Sequence, residues 1–262
     1  MTPNGEQRIL SHTPPLDIAC DDLRGKSDGD VASAFAATRE AMSHQMFDTT
    51  RWPLFQVKLT RLADNDWRMH LSIDALILDG ESIGFLLRDV FALYRGEAPS
   101  ALGATSYRDH VLASLRQAQV ATTAKRYWAE RIDDLPPPPA LPLAIDPARL
   151  RDGSFKRRSA TLSRDQWEAI KRQAARRRLT PSATLLAAYA ETLATWSKDD
   201  DFTLNLTVSD RPAGPDLENV LGVFTSLVPL AIRQARAGSI THRALAQQQQ
   251  LAEGVGPVQD PN

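Results

Sequence analysis

The spacing of apolar side chains changes several times in the first hundred residues. Over Asp28–Met42 they recur every three or four residues, which predicts an amphipathic helix. Over residues 55–73 they alternate with polar ones on both sides of a polar turn, which predicts an antiparallel hairpin. Helical spacing returns over Ser82–Tyr94, and Gly96 is the predicted C-cap. Asp74 therefore stands at the end of a strand, shortly before a helix.

A second stretch of helical spacing begins at Ser106 and runs to Trp128, before the four consecutive prolines Pro136–Pro139. Such a run is stiff and extended. It either braces a neighbouring element or connects two lobes. The sequence favours a connection, and we predict an N-terminal lobe over residues 1–144 and a C-terminal lobe over residues 145–262.

The C-terminal half predicts two capped helices followed by two strands. Ser163 and Gln166 have the spacing of a capping box, and Thr180 precedes a proline at the first helical position. Strand patterns cover Phe202–Val208 and part of Val220–Ile232. The second helix carries a large apolar stripe, predicted to be core, at Leu185, Tyr189, Leu193 and Trp196.

Helices and strands alternate irregularly, without the repeated strand–helix units of a doubly wound sheet, so an α+β sandwich is the predicted class. The glutamine-rich tail from Gln247 onwards shows no convincing packing pattern.

Composition narrows the functional classes. The 31 Lys and Arg residues balance 32 Asp and Glu residues, which gives a net charge of −1 and no long-range attraction for nucleic acid or anionic membranes. No apolar segment near a terminus is long enough for a membrane span or a signal peptide, so we expect a cytoplasmic protein. Cys20 is the only cysteine and is expected to be inert. The five histidines lack metal-ligand spacing, and no phosphate-binding loop or serine-nucleophile motif occurs, so no metal is expected.

The remaining candidate for a functional site is the segment from Asp74 to Ser82, which also contains Asp79. One interpretation is local, with Asp79 or Ser82 as a helix cap and Asp74 as a solvated acid at the strand end. The four residues between the aspartates are apolar, however, and this favours a buried loop. A carboxylate buried there needs a cationic partner.

This segment resembles the Asp-x-x-x-x-Asp-x-x-Ser signature of heterocyclization domains of nonribosomal peptide synthetases. Ordinary condensation domains have His-His-x-x-x-Asp-Gly there, and Ala75 takes the place of their second, catalytic histidine. Further stretches resemble the same family in the same order: Asn4–Leu10, Tyr127–Trp128, Leu135–Leu143, Thr180–Ser197, Asn205–Pro212 and Gly222–Leu227.

The resemblance implies a chloramphenicol-acetyltransferase-like fold of two lobes with a tunnel between them. The implied partners are upstream and downstream peptidyl carrier proteins loaded with acyl and aminoacyl thioesters, together with an adjacent adenylation domain. Phosphopantetheine belongs to the carriers, and the chain itself is expected to bind no cofactor. The implied reaction joins an acyl donor to Cys, Ser or Thr as an amide and then closes a thiazoline or oxazoline ring with loss of water, typically in siderophore assembly.

The same resemblance assigns roles to individual residues. Asp79 is expected to form a structural ion pair with Arg211, which lies in the family's Asp-Arg-Pro stretch. Asp74 and Ser82 are expected to line the tunnel and orient the amide or water. Asn205 is expected to hydrogen-bond a substrate amide.

Ala75 and Thr225 are expected to line the tunnel as well. Val223 departs from the family pattern, which has an aspartate there. The family's late threonine and aspartate, which serve ring closure, have no counterpart, so we expect the isolated chain not to cyclize. Three hypotheses remain: part of a heterocyclization domain, a non-catalytic carrier-docking or vestigial module, and a free-standing acyltransferase. The last is disfavoured because no general base is evident.

Overall fold

A computed structural model describes residues 5–101, 103–120, 122–150, 158–212, 214, 217–233 and 238–259. Side chains are described within these ranges except at 117–124 and 254–259. Contacts between residues group the chain into two units. The first unit runs to Ala101 and takes in Leu221–Val223, and the second contains the rest of the chain.

In the part of the first unit that the structure describes there are a three-stranded sheet and two helices, which confirms the predicted hairpin and both predicted helices. Its sheet has the order β1–β2–β3, in which β1 runs parallel to β2 and β3 runs antiparallel to it. The elements are β1 Ala19–Asp22, α1 Asp28–Ser43, β2 Phe55–Ala63, β3 Asp66–Ile73 and α2 Gly80–Tyr94.

Local sequence explains where these helices begin and end. The Ser27 side chain accepts a hydrogen bond from the Asp30 N–H and so caps α1. Gly96 follows α2 with φ +76°, a left-handed conformation that glycine adopts without strain. The predicted C-cap position is therefore supported by the backbone.

Among the described residues, the second unit contains five α-helices and an antiparallel pair of strands. These are α3 Tyr107–Val120, α4 Thr122–Ala129, α5 Arg164–Arg176, α6 Pro181–Trp196, β4 Asp201–Ser209, β5 Thr225–Arg233 and α7 Ile240–Gln259. The predicted capping box is present, because Ser163 and Gln166 bond each other's backbone N–H groups at the start of α5. Thr180 caps α6 as predicted.

The face of α6 that is buried differs from the predicted one. Ala183, Leu186, Ala187 and Ala190 are buried, whereas Tyr189 and two other members of the predicted stripe are more than half exposed. The small alanine side chains allow α6 to lie close to α7 and to the inner face of β4 and β5. Helical spacing alone does not show which of two apolar faces is buried, and in α6 the buried face is the one with the smaller residues.

The proline run braces the start of β4. The Thr203 backbone N–H donates to the Pro137 carbonyl at 2.9 Å, and its hydroxyl donates to the Pro136 carbonyl at 2.6 Å. The contact units accordingly divide after residue 101, and residues 102–144 belong with the second unit rather than with the first. The predicted lobe limits, 1–144 and 145–262, stay a prediction about the family fold.

The described part of the tail belongs to α7, contrary to the expectation from its composition. Arg243 of α7 forms a bidentate ion pair with Glu191 of α6, in which Nε donates to Oε1 at 2.6 Å and Nη2 donates to Oε2 at 2.7 Å. Gln248 accepts a hydrogen bond from the Thr180 N–H at 2.7 Å. Gln250, with its amide oriented to satisfy both groups, bonds the N–H and carbonyl of Ala231. The glutamines therefore bind backbone groups, a role that no apolar pattern reveals.

The combination of helices with a mixed sheet and an antiparallel pair confirms the predicted α+β class. Within the described ranges, no helix has both the length and the apolar composition that crossing a membrane requires.

Candidate functional site

Asp74 continues the hydrogen bonding of β3 for one residue and then starts a turn. Its backbone N–H donates to the Leu54 carbonyl at 3.0 Å, and its own carbonyl accepts from the Ile77 N–H at 3.1 Å. The carboxylate Oδ1 accepts from the Leu76 N–H at 2.9 Å. The side chain is half-buried, so the carboxylate is oriented by the turn and still reaches the surface.

The loop between the two aspartates is not buried as its apolar residues suggested. Ala75 and Leu76 are exposed at the tip of the turn, whereas Ile77 and Leu78 are half-buried. The hydrogen bonds of Asp74 fold residues 75–77 outward, and a turn has too few residues to bury all of its side chains. The local interpretation of Asp74 as a strand-end acid agrees with this geometry.

Asp79 is the N-cap of α2. Its backbone is extended, and its Oδ1 accepts a hydrogen bond from the Ser82 N–H at 2.8 Å. Only 8% of the residue is exposed. The positive end of the helix and the capping bond both stabilise a carboxylate at this position.

Ser82 lies in the first turn of α2 and is completely buried. Its hydroxyl donates to the Gly222 carbonyl at 2.9 Å and accepts from the Gly222 N–H at 3.1 Å. The same carbonyl accepts from the Asp79 N–H at 3.1 Å. Gly222 is 140 residues away in the sequence, and these three bonds hold the segment Leu221–Val223 in the first unit.

Asp74, Asp79 and Ser82 thus lie together at one strand-to-helix junction, but they are differently placed for chemistry. Asp79 and Ser82 bind backbone groups below the surface, and Asp74 presents a carboxylate at it. Sequence reasoning missed Gly222 as the partner of Ser82, because nothing local in the sequence connects positions so far apart.

In the second unit, Asn205 and Thr225 lie on one face of the β4–β5 pair. The strand register places Asn205 opposite Pro229 and Ser209 opposite Thr225, and residues directly opposite in an antiparallel pair share a face. Asn205, Ser209 and Thr225 are exposed, whereas Phe202 on the other face is buried. The alternation of apolar and polar side chains along β4 also predicts that Ser209 lies on this exposed face, although no sequence motif contains it.

Arg211 follows β4 and is half-buried. Its Nη1 donates to the Leu217 carbonyl at 2.9 Å and to the Val220 carbonyl at 2.8 Å, and its guanidinium carbon lies 3.8 Å from the centre of the Phe224 ring. These contacts fix the guanidinium within the second unit. The expected ion pair of Arg211 with Asp79 stays a prediction.

Among the described residues, no group of three or more His, Cys, Asp or Glu side chains has the geometry to hold a metal ion. Cys20 is exposed and has no disulfide partner. Asn4, the first residue of the earliest matching stretch, lies outside the described residues.

Comparison with known proteins gives consistent matches over nearly the whole chain. A family model described as a condensation domain matches residues 6–259. Bacitracin synthase 1 of Bacillus licheniformis is 37% identical over 259 residues, which is 96% of this chain and 5% of that protein. Phenyloxazoline synthase MbtB of Mycobacterium tuberculosis is 37% identical over 262 residues, which is 97% of this chain and 18% of that protein.

A solved structure gives the same result for the fold. The EpoB cyclization-docking bidomain of a nonribosomal peptide synthetase from Sorangium cellulosum superposes with a TM-score of 0.82 and 35% sequence identity. The match covers 94% of this chain and 50% of that one. The chain therefore spans half of the solved structure and a much smaller part of the two synthases.

Proposed function

Because the chain belongs to the condensation-domain family, we propose that it is part of a heterocyclization domain of a nonribosomal peptide synthetase. In the proposed reaction, the amine of a carrier-bound Cys, Ser or Thr attacks an acyl thioester, which forms an amide and releases the donor carrier's thiol. The side-chain thiol or hydroxyl then adds to the amide carbonyl, and loss of water leaves a thiazoline or oxazoline. A siderophore or a related peptide is the proposed product class.

The placement of Asp74, Ala75 and Asp79 carries the proposal. Ala75 stands at the exposed tip of the turn where an ordinary condensation domain has its catalytic histidine, and a methyl group cannot transfer a proton. Asp74 presents a carboxylate beside it. The names of two relatives, a phenyloxazoline synthase and a cyclization domain, support ring formation rather than simple condensation.

We assign substrate contact first to Asp74 and Asn205, because both side chains reach the surface in the structure. Thr225 lies on the same face as Asn205, and we propose that Thr225 and Ala75 line the path of the substrate. Ser82 is a weaker candidate for this role, since its hydroxyl bonds both polar groups of the Gly222 peptide.

The proposed partners are the peptidyl carrier proteins on either side, each of which brings its substrate on a phosphopantetheine arm. An adjacent adenylation domain and a cytoplasmic location complete the proposal. They rest on the family relationship, since synthetase domains of this family receive their substrates from carriers.

A chimeric domain tests the proposed function. This chain would replace the matched half of the EpoB cyclization-docking bidomain, and the product made from acyl- and cysteinyl-loaded carriers would be analysed by mass spectrometry. The expected product has lost one water beyond the mass of the amide. The isolated chain is expected to form neither product, because half of the matched structure has no counterpart in it.

Asp74→Asn is expected to reduce the ring product of the chimera. Asp66→Asn, at the exposed start of β3 in the same hairpin, is the matched control and should leave the product unchanged. A chimera that releases only the open amide would contradict ring closure. A chimera that binds carriers and makes neither product would favour the non-catalytic module instead.

A further inference from the structure

Three aromatic rings meet where the first turn of α3 contacts the residue that precedes β5. The ring centres of Tyr107 and His110 lie 5.2 and 5.0 Å from the centre of the Phe224 ring, and 6.3 Å from each other. Phe224 is 2% exposed, and His110 is half-buried. Ser106 and Asp109 exchange capping bonds that fix this first turn. The imidazole of His110 is therefore held against the buried ring of Phe224 by a helix turn whose first residues are fixed by capping bonds.

The Arg211 guanidinium also lies against Phe224, at 3.8 Å from the ring centre. Its Nη1 donates hydrogen bonds to the carbonyls of Leu217 and Val220, so one side chain holds both ends of the loop between these two residues. A cation over an aromatic face is attracted by the ring and depends on the ring for its orientation. A shift of Phe224 therefore weakens one of the contacts that orient the Arg211 guanidinium.

Asp210, the residue before Arg211, is hydrogen-bonded to Phe224 and to the start of β5. Its N–H donates to the Phe224 carbonyl at 2.6 Å, and its carboxylate accepts a bond from the Ser226 hydroxyl. Its other carboxylate oxygen, Oδ1, is buried and has no hydrogen-bond partner among the described residues. Burial raises the pKa of Asp210, and positive charge on His110 acts in the opposite direction.

The surroundings of His110 favour its neutral form. Burial is the largest cause that lowers the pKa of His110, and the positive charge of Arg211 is the second. Asp210 raises this pKa, but its effect is the smallest of the three. Attraction to Asp210 therefore does not compensate a protonated imidazole for lost water and for the nearby guanidinium.

We propose that His110 is a positioning residue that keeps Phe224, and through it the Arg211 guanidinium, in place only while its imidazole is neutral. Protonation puts a second cation near the Arg211 guanidinium, and the repulsion between the two loosens the contacts of Arg211 and Asp210 with Phe224. Tyr107, Asp210 and Arg211 are the titratable groups that face His110 in the described part of the chain. The consequence for catalysis rests on the proposed function, whereas the proton-linked change itself does not.

Nuclear magnetic resonance of the whole chain tests the inference without any activity assay. The His110 ring signal and the Arg211 Nε–H signal would be followed from pH 7.5 to 5, together with hydrogen exchange of the Asp210 amide. We expect His110 to titrate below its ordinary pKa. The Arg211 signal should shift with the same midpoint, and the Asp210 amide should lose protection there after correction for the intrinsic effect of pH.

His110→Phe keeps an aromatic ring and cannot take up a proton, so it should retain protection of the Asp210 amide and abolish its dependence on pH. His110→Gln is a second neutral variant for the case that phenylalanine disturbs folding. His70→Gln is the matched control in the first unit, because burial lowers the pKa of His70 as well. An Arg211 signal that stays constant while His110 titrates overturns the proposal, as does a pH dependence that persists in both neutral variants. Failure of the ring-forming assay would leave these results unaffected.

Discussion

Replacing Ser82 with alanine is expected to destabilise the first unit by about 1–3 kcal/mol. The variant removes one donor and one acceptor from a completely buried position. The Gly222 carbonyl keeps its bond from the Asp79 N–H, so most of the cost comes from the Gly222 N–H, which loses the hydroxyl that accepts from it. Desolvation without a replacement bond sets that cost.

Urea unfolding, followed by circular dichroism and by hydrogen exchange of the Gly222 amide, measures this loss. Ser33→Ala is the control, because the Ser33 hydroxyl bonds only a carbonyl of its own helix at 2.8 Å on an exposed surface. It should change stability by less than about 0.5 kcal/mol. If Ser82→Ala is as stable as this control and Gly222 exchanges at the wild-type rate, the hydroxyl does not hold the 221–223 segment. Loss of ring product with unchanged stability would instead support the predicted substrate role of Ser82.

Three further substitutions and one control test the packing and the caps. Asp79→Ala removes the N-cap of α2, and this loss alone should lower the free energy of unfolding by about 1 kcal/mol. If the substitution also leaves a buried cationic partner unpaired, the loss should be about 3–5 kcal/mol. The soluble fraction and the unfolding midpoint distinguish these two cases. Glu191→Ala breaks the two-pronged bond with Arg243 and should cost about 1–3 kcal/mol in urea unfolding. Ala187→Leu should overfill the contact of α6 at about 1–3 kcal/mol, whereas Tyr189→Ser on its exposed face should leave the midpoint nearly unchanged.

Helices and strands were predictable where the signal is local. The hairpin over residues 55–73 and the caps at Ser163 and Thr180 depend on neighbouring residues, and the structure confirms them. The buried face of α6 was not predictable in this way. Both of its faces are apolar, and only the alanines' close approach to other elements decides between them. The packing of α7 was missed for a related reason, because Gln248 and Gln250 bond backbone groups of distant segments.

The candidate site shows the same division. The order of residues placed Asp74 at a strand end and Asp79 at a helix start, and both placements are confirmed. The sequence could not show that Ser82 bonds Gly222, since the two positions are 140 residues apart. Nor could it show that the apolar residues after Asp74 form an exposed turn. Hydrophobicity predicts burial on average, whereas a turn of three residues exposes whatever side chains it carries.

Acidification should destabilise the chain through two histidines. Burial is the leading cause that lowers the pKa of both His70 and His110 below 6.5, the ordinary value. As the pH falls below about 6.5, the unfolded chain takes up these protons before the folded chain does, so stability decreases until the folded pKa values are passed. Carboxyl groups with lowered pKa values, such as that of Asp109, lose their contribution only below about pH 4, outside this window.

The melting temperature of the wild-type chain should therefore fall between pH 7.5 and 5.5, and each histidine should account for part of the fall. His70→Gln can keep a hydrogen bond to the buried Thr60 hydroxyl, which His70 contacts at 3.1 Å, while it removes the proton uptake. It should flatten the pH dependence, as should His110→Phe. His44→Gln changes an exposed histidine and serves as the control. A double variant of His70 and His110 with the full acid sensitivity of the wild type would show that burial of these rings does not set the pH dependence.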